Sequence, residues 1–116
     1  MTLVLKSTIK NVTGVTNTEL QRICDYLQGA VYCWCKNRSG EWFSVRELFG
    51  GENFDWKGTP MIVLFNKHKT KGKSDAVAIS HAGRDAGWIL KKVLEDDQRE
   101  FETKKAELIR KYRWKD

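Results

Sequence analysis

One proline, two histidines and three cysteines are all that this 116-residue chain holds of those residues. Each scarcity excludes something. With Pro60 alone, no other proline interrupts a helix on either side of it. Cys24, Cys33 and Cys35 are an odd set, so reduced thiols are expected rather than a disulfide framework. Structural zinc sites pair their ligands inside loops and need a second pair elsewhere. Here there is no second pair, and the only histidines are His68 and His81, so no metal and no cofactor are expected. No apolar run approaches the roughly 20 residues of a membrane span. The opening MTLVLKST lacks the long apolar region and cleavage site of a signal peptide. The expectation is a cytoplasmic location with no membrane partner.

Catalytic constellations are equally sparse. A nucleophile would need a histidine and an orienting carboxylate beside it. His81 and Asp85 stand four apart on a helix, His68 has no acid near it in sequence, and Glu95, Asp96 and Asp97 read as a solvated helix face. Gly72–Lys73–Ser74 matches the end of a phosphate-binding loop, but the glycine required five residues earlier is Lys67. The chain is expected not to be an enzyme.

What is there in quantity is apolar surface and positive charge. Hydrophobic residues make up 41% and include five tryptophans, enough for a single domain over residues 1–116. The net charge of +6 is unevenly placed. Residues 1–60 carry seven basic and six acidic side chains, whereas residues 61–116 carry fourteen and nine. A basic half attracts polyanions.

Periodicity points to an all-α or mainly α fold, a bundle of four to five helices. Thr16 and Glu19 form a capping box. Leu20, Ile23, Cys24, Leu27, Val31, Trp34 and Cys35 then share one face of a helix over about 17–36, although Gly29 costs it about 1 kcal/mol. The alternative ends that helix at Gly29 and makes 30–45 a hairpin. A minor β element is expected at either 2–6 or 30–45. Ser44 and Glu47 begin a short helix ended by Gly50 and Gly51, and Phe54 and Trp56 plug the core from a loop. Thr59 and Pro60 start another helix, lined inside by Met61, Leu64, Phe65 and His68. Ser74 caps a short helix over 75–82, and Gly83 breaks the chain before a long terminal helix over 86–113, capped by Asp85. Its stripe is Leu90, Val93, Leu94, Phe101, Leu108 and Tyr112, with four-apart pairs Glu95–Arg99, Glu100–Lys104 and Glu107–Lys111. Trp114 would lie beyond the core.

The pattern around Gly83 has the outline of a helix-turn-helix. Lys67, Lys69, Lys71 and Lys73 crowd into seven residues just before it. The leading expectation is therefore a small non-catalytic binding protein that contacts nucleic acid through these lysines and through Arg84, Lys91 and Lys92. The alternative is a protein-interaction module or inhibitor that uses the C-terminal helix or Trp42, Trp56 or Trp114, a residue type common at interface hot spots. A monomer is the expected state.

Overall fold

The computed structural model describes residues 2–3, 12–48, 56–97, 99–106 and 109–114. The fold is mainly α. Among the described residues the order is β1 (Thr2–Leu3), α1 (Asn17–Asn37), α2 (Val45–Leu48), α3 (Ile62–Lys69), α4 (Asp75–Asp96), β2 (Phe101–Ala106) and β3 (Ile109–Trp114). The strands form one antiparallel sheet in the order β1-β2-β3, with Thr2 opposite Thr103 and Phe101 opposite Trp114.

Local signals set most helix starts. The Thr16 hydroxyl accepts from Glu19 N–H, and the Glu19 carboxylate accepts from Thr16 N–H, which closes the expected capping box. Ser44 Oγ accepts from Glu47 N–H at 3.2 Å and opens α2. Thr59 Oγ1 accepts from Met61 N–H just before α3, and Ser74 Oγ accepts from Val77 N–H at the start of α4. Helix α1 runs through Gly29, so the alternative hairpin over 30–45 is not formed. Its only β feature is an isolated bridge from Phe43 to Tyr112. The expected strand at 2–6 is present as Thr2–Leu3, and the rest of it lies outside the described residues, as do Phe49, Gly50, Gly51 and Phe54.

Two expectations at the C-terminal end are overturned. Gly83 does not break the chain: it lies inside α4, so there is no helix-turn-helix, and Asp85 is buried mid-helix rather than a cap. Two interior glycines cost a helix roughly 1 kcal/mol each. Burial of Ala78, Ala82, Ala86, Ile89, Leu90, Val93 and Leu94 on one face outweighs that. Nor does the helix continue to residue 113. It ends at Asp96, and Phe101–Ala106 and Ile109–Trp114 pair as the β2–β3 hairpin. Four-apart ion pairs contribute only about 0.2–0.5 kcal/mol each. Three carboxylates at positions 95–97 oppose the negative end of the helix dipole, and the last turn holds no basic residue to offset them. In the hairpin, Phe101, Thr103 and Tyr112 instead bury one face by simple alternation.

The core joins one face of α1 (Ile23, Leu27, Val31, Cys35) to α4, to Met61 and Leu64 of the α3 region, and to Phe43, Phe101 and Tyr112. The Phe43 ring meets Phe101 edge-on at 6.3 Å and Tyr112 at 6.1 Å, so the hairpin base is held by aromatic packing as well as by its ladder. Trp56 and Trp114 are half-buried against this cluster, which corrects the expectation that Trp114 lies beyond it.

Candidate functional site

Three places gather functional side chains. The first is the corner between α3 and α4. Two adjacent α3 residues face α4, and Asp85 stands on the α4 face that meets them. Lys67 Nζ and His68 Nε2 both lie 2.8 Å from Asp85 Oδ2, and all three side chains are at least nine-tenths buried. Lys67 also donates to the Thr13 carbonyl. His68 Nδ1 accepts from Lys73 Nζ at 3.0 Å, and His81 Nδ1 accepts from the same nitrogen at 2.7 Å. His68, which has no acid near it in sequence, thus finds one in space, and Asp85 serves His68 rather than His81.

This placement divides the lysines that look like one basic loop in the sequence. Lys67 is committed to a buried ion pair. Lys69 pairs with Asp75 at 2.7 Å and donates to the Lys73 carbonyl. Lys73 turns inward to the two imidazoles, and Lys71 is exposed. Arg84 and Lys92 are exposed and Lys91 half-buried along an unbroken helix, so no helix start presents them to a groove. Of the seven, Lys69, Lys71, Arg84 and Lys92 are exposed, and Lys67, Lys73 and Lys91 are partly or largely buried.

The second place is the hairpin, whose residues also fit a helical periodicity. Residues 101–114 hold five basic side chains and two acidic ones. Lys104 and Arg113 lie over the Trp42 ring, with the ammonium 4.2 Å and the guanidinium carbon 4.6 Å from its centroid. Arg113 also pairs with Glu102 at 3.1 Å, and Lys111 with Glu47 at 3.4 Å. The base of the hairpin is flanked by β1 on one side and Phe43 on the other. Lys105 and Arg110, which share the inward face by alternation, are exposed. The core therefore does not cover the Lys105–Arg110 pair of the ladder. The sequence signal for the hairpin was the alternation of basic and aromatic residues in Arg110–Lys111–Tyr112–Arg113–Trp114.

The third is a groove of about 650 Å³ between α1 and the start of the hairpin, lined by Gln28, Tyr32, Asp97, Arg99 and Trp114 among others. Arg99 sits 5.4–5.6 Å from the Tyr32, Phe101 and Trp114 ring centroids while its nitrogens bond Asp97. Asp97 is thus no solvated helix-face carboxylate. Trp42, Trp56 and Trp114 do not converge on one surface: Trp42 belongs to the hairpin, Trp114 to the groove and Trp56 to the core margin.

Thiols and metal ligands add no further centre. Burial pushes the Cys24 and Cys35 thiols up, away from reactivity. Among the described residues no three histidine, cysteine or carboxylate side chains group as metal ligands. No helix among them is long and apolar enough to cross a membrane. No family model matches the chain, and neither a curated protein nor a solved structure is similar to it.

Proposed function

We propose that this is a small, non-catalytic basic protein that binds nucleic acid, with the β2–β3 hairpin as its main contact. The observation that carries the reading is the far end of the β2–β3 ladder, where Lys104, Lys105 and Arg110 are exposed. A two-stranded ribbon fits the major groove of a duplex, and basic side chains along it neutralise phosphates. Trp42, held beside Lys104 and Arg113, adds an aromatic face of the kind that stacks on unpaired bases. The non-catalytic part of the reading is supported by His68, whose two ring nitrogens are both engaged by protein groups.

The test is a binding series on duplex DNA, single-stranded DNA and RNA at several salt concentrations. Phosphate-driven binding weakens with a log–log slope of about −0.9 per contact on duplex DNA. Replacing Lys104, Lys105, Arg110 and Lys111 by Gln is expected to weaken binding to unrelated sequences alike and to flatten that slope. Absence of any complex at low salt with the wild-type chain defeats the reading. The groove then favours a protein partner, because Tyr32, Arg99 and Trp114 are the residue types that dominate interface hot spots and Tyr32 is 58% exposed.

A further inference from the structure

The α3–α4 corner carries more positive charge than it neutralises. Lys67 is matched by Asp85, and Lys69 by Asp75. Lys73 and Arg84 remain, and among the described residues neither has a carboxylate at ion-pair distance. Lys73 spends two of its three N–H groups on ring nitrogens, which bring no negative charge.

The hydrogen bonds assign both tautomers. His68 gives its Nε2 proton to Asp85, so its Nδ1 is a lone pair and accepts from Lys73. His81 accepts from Lys73 at Nδ1, so its proton sits on Nε2, on the other side of the ring. The corner grades from inside to outside. His68 and Asp85 are buried, Lys73 and His81 are half-buried, and Arg84 is exposed. Arg84 follows His81 by three residues on α4, which places the two on neighbouring positions of one helix face. Lys73 thus keeps a third N–H and His81 an Nε2–H, and the exposed Arg84 stands about one helical turn from His81.

We propose that Lys73, His81 and Arg84 form a phosphate-binding site, and that His81 takes up a proton from solvent as the phosphate binds. The proton enters at His81 Nδ1. Lys73 Nζ then loses that acceptor and turns its N–H to a phosphate oxygen, while the bond to His68 Nδ1 is kept and no covalent bond changes. In the free protein, burial, then Lys73, Arg84 and His68, hold the His81 imidazole below its ordinary value, against a smaller opposing effect of Asp85. Lys67 of α3 adds to the positive side but is spent on Asp85. A bound phosphate supplies the missing negative charge, so its affinity rises as pH falls through the His81 titration. The site rests on the nucleic-acid reading only for the source of its ligand, since a backbone phosphodiester and a free phosphate offer the same oxygens.

The test follows the His81 ring by NMR in the full chain from about pH 5 to 8, the range in which an imidazole titrates. It is run alone, with inorganic phosphate and with oligothymidylate. The expected result is an upward move of the His81 titration with a ligand. Each unit of rise equals about tenfold tighter binding to the protonated form. Arg84→Gln, an exposed change that leaves the fold intact, is expected to abolish most of the move. A rise with oligothymidylate, alone or with phosphate, supports the site with a strand as source. A rise with phosphate alone also supports it and assigns it to small phosphate compounds, and it does so whether or not the hairpin binds a strand. Oligothymidylate binding with His81 unmoved by either ligand overturns the site and leaves the hairpin reading standing. No movement and no binding at all overturns both.

Discussion

Arg99 closes back on Asp97, two residues earlier, through two side-chain hydrogen bonds of 3.0 and 2.8 Å, and its backbone N–H bonds the same carboxylate at 2.8 Å. Gln28 of α1 donates to Oδ2, the oxygen that also accepts from Arg99 Nη2, at 2.8 Å. One carboxylate thus stops α4, turns the chain into β2 and ties both to α1. Burial alone would raise the Asp97 carboxyl, but the bonds from Arg99 and Gln28 outweigh it and hold it at about 2, below the ordinary 3.8. Because the folded value is depressed, this stabilisation is present above 3.8 and is lost as pH falls through about 2. Asp97→Asn is expected to lower stability at neutral pH and to flatten its decline over that window. Equal acid dependence of the denaturation midpoint in both proteins defeats the account.

Asp85 makes a sharper demand. Its removal leaves the Lys67 ammonium buried without a counter-charge, and breaking a buried pair from one side costs about 3–5 kcal/mol. Asp85→Ala is expected to unfold at much lower denaturant than wild type. Asp75→Ala, which breaks an exposed pair with Lys69, is expected to cost about 0–1 kcal/mol. Similar losses in the two variants count against the buried network.

Tyr112 sets an alkaline limit. Burial pushes its hydroxyl up to about 12, against a smaller opposite effect of Arg110. The raised folded value keeps the neutral form favoured, so the stabilisation is whole below the ordinary 10 and is lost as pH rises toward about 12. Ultraviolet titration should show one tyrosine ionising late, together with loss of far-ultraviolet ellipticity. Tyr112→Phe should remove that late step and shift unfolding to higher pH.

Phe101 and Trp114 face each other across the hairpin, and both pack on the core. Phe101→Ala is expected to cost about 3–5 kcal/mol, the usual range for a buried aromatic. Trp114→Ala is expected to cost less, about 0.5–3 kcal/mol, because the ring is only half-buried. Both melting temperatures should be independent of protein concentration. A silent Trp114→Ala would mean the groove wall contributes nothing to the fold.

The sequence revealed those elements whose signals lie within one or two turns of each other. The capping box at Thr16 and Glu19, the α1 stripe across Gly29 and the Ser74 cap are all local, and all are found. The hairpin was hidden because Leu94, Phe101 and Leu108 stand seven apart, a spacing that matches two helical turns. Phe101–Thr103 and Tyr112–Trp114 carry the competing two-residue period, too short to outweigh a 28-residue helical pattern by itself. What decided it was remote: Phe43 bridging Tyr112 and Thr2 pairing with Thr103. The polar corner was hidden for the same reason, since His68 and Asp85 are seventeen residues apart and meet only once α3 has packed on α4.

The pairing of Thr2 with Thr103 fixes an order of events during synthesis. Helices α1, α3 and α4 leave the ribosome with most of their mutual contacts already available. The ring of Phe43 must wait for Phe101 and Tyr112. Residues 2 and 3 have no strand to join until Glu102 and Thr103 have been made. Contacts between such distant residues carry the largest loop-closure cost, and they are the ones that slow folding. Until the hairpin arrives, Phe43 lacks the Phe101 and Tyr112 rings it packs against, and apolar surface left open in this way favours aggregation.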